Sequence, residues 1–412
     1  MNLEVLKIIN KIIERDSKDT TYKFALLRGI IDIIQEFSHF KKEQNEYVTF
    51  PVGLLVHKWL LYYYPIFASR IFLPQKNGET EELIPGKIIA FRNYFNPIFN
   101  YYENESNGGF NVFYNDIKTN NIPSFLKPDL VSLLNKIFQT IVNMPMKHLG
   151  FGIYKKYYSI THFNNDRKYK ISNNFKFLDI IYSFGTFNIH KEFFDIFDYL
   201  GRFISGSESI LFKWAEFTVK VSEKSIKNYA NIPNKILEYP ELLQDKKESV
   251  KFNNISSLSN TIVLNEILKN PESDRDIKIA SHIFDKLKNQ QNGKLICIWT
   301  GDKIKQYDID HLIPFSIWKN NNLWNLFPTK HNINLNKSDK IPSIRILEKQ
   351  KDLIIYYWNE ISKYNDKIFF RELEYSLIGN SFSINNWEMI AFNALKQKCE
   401  HLVFKRGYSE WN

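Results

Sequence analysis

Cysteine is almost missing from this chain of 412 residues: it holds two, Cys297 and Cys399. Two thiols cannot build a disulfide framework or a four-cysteine zinc site. A reducing compartment is the simplest setting, and the cytoplasm is the expected location. Long apolar runs are missing as well. A membrane span takes about 20 predominantly apolar residues. The most apolar stretch, residues 50–68, is broken by His57 and Lys58 and is rich in tyrosine. It predicts a buried helix, and no membrane partner is expected. Residues 1–13 are amphipathic, with Glu4, Lys7 and Lys11 spread through them. They lack the basic start, clean apolar run and small-residue cleavage site of a secretion signal. No internal repeat is visible.

What is present is an ordinary share of apolar (44%) and charged (24%) residues with a high share of aromatics (16%). That excludes a disordered chain, a collagen-like chain and a disulfide-rich scaffold. The length suits two or three domains with a sizeable core. Lysine and arginine outnumber the acids 55 to 45, a net charge of +10 with a pI of about 9.1. This balance suits a polyanionic partner, nucleic acid or an acidic membrane surface, although AT-rich bacterial genomes encode lysine-rich proteins of every role.

The first 245 residues read as a mainly helical recognition or regulatory region. Apolar residues recur at helical spacing over residues 3–13 and 24–34. An extended piece, 47–50, leads into Pro51 and a third helix through Ile66. This order over 20–66 fits a winged-helix module and fits generic helical packing equally. Further helices are expected at 87–102, 127–142, 191–203 and 209–227. Over 151–177, tyrosines alternate with Lys155, Lys156, Arg167 and Lys168, and 162–166 reads as a turn. The pattern predicts a small β-hairpin with a basic, aromatic face, able to stack bases and hold phosphates, or a structural hairpin with solvated lysines. Pro233, Pro240, the charge run 245–248 and the polar stretch 253–259 make residues 231–260 the best linker candidate, and the linker is expected at 246–275.

The chemistry concentrates in residues 295–343. Leu295–Trp299 predicts a short strand, and Tyr307–Leu312 a second, ending in Asp310 and His311. Packing seldom asks a strand to end in Asp-His, because both groups need partners or water. An Asn-rich loop follows, Trp324-Asn325-Leu326 re-enters the core, and Pro328-Thr329 starts a polar helix carrying His331, Asn334 and Lys337. A carboxylate, an imidazole and an amide oxygen brought together suit phosphodiester hydrolysis. A hard divalent cation takes oxygen ligands and stabilises charge on the phosphate. An unligated histidine takes the proton of the attacking water.

The motif Asp308-x-Asp310-His311-x-x-Pro314, followed by Asn325, Asn334 and Lys337, resembles the HNH (ββα-metal) endonucleases, and among them the HNH domain of RNA-guided CRISPR nucleases. The resemblance is limited to about residues 295–343. It implies a ββα-metal module; with the helical patterns of the rest of the chain, the expected fold class is α+β, mostly α, in which a large helical N-terminal region with a small β-hairpin precedes a C-terminal module at 276–350, with a helical extension at 351–412 packing on it. It implies that Asp310 and Asn334 bind the metal, Mg²⁺ or Mn²⁺, and that His311 is the general base. Asn325 would support the loop and the histidine, and Lys337 would contact phosphate. His331 is a rival ligand to Asn334, and Asp308 a carboxylate behind the site or a solvated strand residue. Many HNH domains carry two Cys-x-x-Cys pairs. Here those places hold Cys297, Thr300, Lys330 and Ile333, so no structural zinc is expected.

The expected activity is metal-dependent cleavage of DNA by a prokaryotic restriction or anti-phage defence nuclease. Cleavage of RNA, a role in a mobile element, and a nucleic-acid-binding protein whose module is inactive alone are the alternatives. One such site attacks one strand, so a homodimer or a second binding event would be needed for a double-strand cut. A partner subunit or ligand that activates the nuclease is a further expectation.

Overall fold

The structure is a computed structural model that describes residues 2–16, 18–80, 88–104, 107–150, 153, 159–167, 169–205, 210–230, 258–272, 275–379 and 384–412. It is mostly helical with small sheets. No helix among the described residues is long and apolar enough to cross a membrane. The chain divides into two compact units: residues 1–35 with 43–269, and residues 36–42 with 270–412.

The first unit opens with α1 (Leu3–Arg15), α2 (Tyr22–Glu36), β1 (Lys42–Gln44), β2 (Tyr47–Pro51) and α3 (Val52–Ala68). It continues through α4 (Asn96–Tyr102), α5 (Gly109–Thr119), α6 (Lys127–Asn143), α7 (Pro145–His148), β3 (Thr161–Asn164), α8 (Phe177–Tyr182) and β4 (Thr186–His190). It closes with α9 (Lys191–Ser205), α10 (Ile210–Ala230) and α11 (Asn260–Ile267). A helix apolar on every side belongs in a core, and α3 is buried almost all round. Its contact with α8 is backbone to backbone: a Cβ at Gly53 would come within 2.0 Å of the Ile180 carbonyl oxygen. Glycine is the residue that permits such an approach.

Four strands form one sheet in the order β1-β2-β4-β3, with β2 and β3 both antiparallel to β4. This corrects the expected hairpin over 151–177. Residues 162–164, read as part of a turn, lie in β3, and the partner strand is β4, more than twenty residues on. The described residues 169–176 form no strand. The alternation of tyrosine and lysine was real but did not encode local pairing. Lys155, Lys156 and Lys168 lie outside the described residues. Two other expectations shift. Of the described residues in the helix expected at 87–102, only 96–102 are α-helical, after a 3₁₀ turn at Arg92–Phe95, and Pro97 sits in the first turn, where a missing N–H costs nothing. Within the expected linker 246–275, α11 is a helix with Val263 and Ile267 buried against the first unit.

The second unit contains α12 (Lys278–Gln290), β5 (Leu295–Ile296), β6 (Lys303–Ile304), β7 (Asp308–His311), β8 (Leu326–Thr329) and α13 (His331–Lys337). After them come β9 (Ile341–Pro342), α14 (Ile344–Lys349), α15 (Lys351–Tyr364), α16 (Asp366–Leu373), α17 (Trp387–Glu400) and β10 (Glu410–Trp411). Its core joins Phe284, Trp324, Phe327, Tyr357, Trp358 and Phe392. Residues 36–42 are laid into this unit. The His39 imidazole Nε2 lies 2.8 Å from the Tyr375 carbonyl oxygen, and the Phe37 and Tyr375 rings are 5.0 Å apart.

Candidate functional site

The strand pair that carries the site is β7 with β8, antiparallel, with Asp308 opposite Thr329 and Asp310 opposite Phe327. The second strand was expected elsewhere. Residues 326–329 read as a return to the core and a helix start, yet all four are buried and extended, and the helix begins two residues later. Of the strand expected at 295–299, only 295–296 pairs, with 303–304. The order along the chain is strand, strand, helix: β7, β8, α13.

Side chains at i and i+2 of a strand share a face, and those three or four apart share a helix face. Here the two periods meet. Asp308 and Asp310 of β7 bond side chains of α13. The Asp308 carboxylate oxygen Oδ2 accepts from Asn334 Nδ2 at 3.0 Å and lies 2.9 Å from His331 Nδ1. Asp310 Oδ1 accepts from Lys337 Nζ at 3.0 Å, and its Oδ2 accepts from the Trp299 indole N–H at 2.7 Å. Lys337 also donates to the His311 carbonyl oxygen at 2.7 Å. Burial pushes the Asp310 carboxyl up from the ordinary value and the Lys337 ammonium down, and their mutual attraction opposes both shifts.

His311 sits at the end of β7. Its Nε2 is 3.1 Å from Asn321 Oδ1. An amide oxygen only accepts, so Nε2 carries the hydrogen and Nδ1 is left as the basic nitrogen. Burial holds the imidazole pKa down, to about 4, against the hydrogen bond to Asn321. Asn325 does not reach this ring. Its carboxamide accepts from Ile313 N at 2.8 Å and donates to the Ile313 carbonyl at 3.0 Å, and its own carbonyl accepts from Leu312 N at 2.8 Å. Asn325 therefore clamps the backbone directly after His311, while Asn321 orients the ring.

Asp310, His311 and Asn334 line one cleft of about 400 Å³, together with Arg275 and Ser338. Lys337 is wholly buried beneath it. That burial corrects its expected phosphate contact, because its ammonium is engaged by the Asp310 carboxylate and the His311 carbonyl oxygen. Arg167 belongs to the first unit, where it bonds Asn165 Oδ1 at 2.9 Å and lies over the Phe138 ring.

Residues 297–343 match the HNH endonuclease family, so the segment that builds this cleft is of nuclease type. Residues 2–234, more than half of the chain, match a domain of unknown function (DUF8808). The chain belongs to the DUF8808 family. This DUF8808 protein thus joins the family's domain to an HNH endonuclease segment.

The places where a zinc knuckle would put its ligands are held by protein contacts. Lys330 pairs with Asp302, and Cys297 Sγ accepts from Lys330 N at 3.4 Å and lies 3.5 Å from Thr329 Oγ1. Among the described residues, no group of three or more His, Cys, Asp or Glu side chains is arranged to hold a metal ion. A cation in the cleft would rest on Asp310 and the Asn334 carboxamide and take its other ligands from water and phosphate. The donors fit a hard cation: a carboxylate offers about four lone-pair sites, of which hydrogen bonds use two. Asp308 takes the Asn334 N–H, which leaves that side chain's oxygen as its donor to the cleft.

Sequence reasoning missed three contributors. Trp299, the last residue of the strand expected at 295–299, is buried in the core, and its N–H also fixes the carboxylate. Asn321 was one of several asparagines in a polar loop. Arg275 lies more than thirty residues before the motif, and no pattern in the sequence joins it to the cleft.

Proposed function

We propose that this DUF8808 protein is a metal-dependent endonuclease that hydrolyses phosphodiester bonds in DNA through its ββα-metal module. The observation that carries the reading is the convergence of Asp310, His311 and Asn334 on one cleft, in a segment that matches an HNH endonuclease family. Asp310 and Asn334 would hold Mg²⁺ or Mn²⁺, which stabilises charge on the phosphate and the leaving 3′-oxygen when bound. His311, oriented through Nε2 by Asn321, takes a proton from the attacking water at Nδ1. Asn325 keeps the backbone that carries His311 in place. The large DUF8808 region recognises or regulates, as expected of a prokaryotic restriction or anti-phage defence nuclease in the cytoplasm. Two copies of the chain would cut both strands.

The test is incubation of the full chain with supercoiled plasmid, with and without Mg²⁺ or Mn²⁺, beside His311→Ala and Asn334→Ala. Metal-dependent nicking or linearisation that both variants lose supports the reading. Equal cutting by wild type and His311→Ala overturns the assigned base. Cutting of RNA alone overturns the substrate, and no cutting by the wild type overturns an autonomous nuclease.

A further inference from the structure

The cleft needs a cation at its surface, and the one the motif offers is spent. A nucleic-acid backbone binds largely by phosphate contacts to lysine and arginine. Lys337 is buried and bonded to Asp310 Oδ1 and the His311 carbonyl. Lys330 is paired with Asp302. Among the described residues that line the cleft, Arg275 is the only lysine or arginine. It is exposed, it precedes α12, and its charge is felt at Asp310, His311 and Lys337 together. It therefore stands within electrostatic reach of both His311 and Asp310. The opposing charge in the cleft is acidic: Asp310, already met by Lys337, and Asp339. A polyanionic strand entering there meets two carboxylates and gains its fixed positive charge from Arg275 alone.

We infer that Arg275 is a phosphate-binding residue of the cleft, holding a DNA backbone phosphate beside Asp310 and His311. A planar guanidinium offers two parallel N–H donors to a phosphate, which orients the diester as well as attracting it. Ser338, also exposed and lining the cleft at the end of α13, offers a hydroxyl to the same strand. The inference rests on the proposed nuclease reading for its substrate. It does not rest on the assignment of the base or the metal.

The experiment measures binding apart from cleavage. A fluorescein-labelled DNA duplex is titrated with full-length protein in EDTA over a range of salt concentrations, using wild type, Arg275→Ala and Arg275→Lys. Arg275→Ala is expected to bind several-fold more weakly and to lower the slope of log K against log salt by about one, the signature of one lost phosphate contact. Arg275→Lys restores the slope and part of the affinity. In the metal-containing assay, Arg275→Ala raises KM more than it lowers kcat. A wild-type protein that binds with a normal salt slope while Arg275→Ala is indistinguishable from it overturns the inference alone. Binding that depends on Arg275 in a protein that cuts no substrate upholds the inference and overturns the nuclease reading. A wild type that does not bind DNA overturns both.

Discussion

Lys337 reaches from α13 to Asp310 on β7 and places its ammonium 3.0 Å from Oδ1, with the lysine side chain wholly buried and the aspartate nearly so. A buried pair is costly to break, because the remaining charge has neither water nor partner. Lys337→Ala should lower stability by about 3–5 kcal/mol, read as a fall in the urea midpoint followed by tryptophan fluorescence. Adding Asp310→Asn to Lys337→Met should recover much of that loss. A Lys337→Ala protein as stable as the wild type would show that the pair is not formed in solution.

Asp308 is a third exposed and holds Asn334 and His331 at one oxygen. Its removal should leave the fold intact and release the Asn334 carboxamide. Outer-sphere partners of this kind typically change metal affinity or activity about 10- to 100-fold. Asp308→Ala should shift the Mg²⁺ concentration for half-maximal cleavage upward by a factor of that order, with an unchanged melting curve. An unchanged metal requirement would remove Asp308 from the site.

The two loop asparagines should separate cleanly. Asn325 is fully buried and satisfies both the N–H and the carbonyl of Ile313, so Asn325→Ala leaves two buried backbone groups unpaired, at roughly 1–3 kcal/mol each. Asn321→Ala loses the contact to the His311 ring. It should cost kcat with little change in stability. Parallel denaturation and cleavage assays on the two variants decide the matter.

Much of this site could be read from the sequence because its chemistry is local. Asp310, His311, Asn325 and Asn334 fall within 25 residues and keep the order and spacing of a known motif. What escaped is what the third dimension supplies. Lys337 occupies the motif position of a phosphate contact, but the 3.6-residue helix period turns it toward β7, and only coordinates reveal an acceptor waiting there. Arg275 is brought to the cleft from outside the motif. In the first unit, the helices at α1, α2, α3 and α6 follow their apolar spacing closely. The sheet did not follow from pattern, since β4 finds one partner more than 130 residues earlier in β2, and no alternation of side chains encodes a pairing at that separation.

The first unit should weaken in acid through His57. This imidazole is fully buried in α3 against the rings of Tyr114 and Phe177, and burial, then Lys58 and Lys118, lowers its pKa from 6.5 to about 3. The unfolded chain therefore binds a proton below pH 6.5 that the folded chain refuses. The stability held at neutral pH is lost as pH falls from 6.5 toward 3, at about 1.4 kcal/mol per pH unit for this group. Urea denaturation at pH 7 and pH 5 should show a smaller acid loss for His57→Leu than for wild type, whatever the variant's absolute stability. Equal slopes would mean the ring is protonated in the fold.

The strap formed by residues 36–42 has a practical meaning for anyone dissecting this chain. A fragment cut to begin at Asn270 would keep every residue of the motif, yet it would leave open the seat that Phe37 and His39 fill against Tyr375. During synthesis that seat is filled by a peptide made more than two hundred residues before the surface it fits. The second unit therefore takes its closing piece from the part of the chain that is made first.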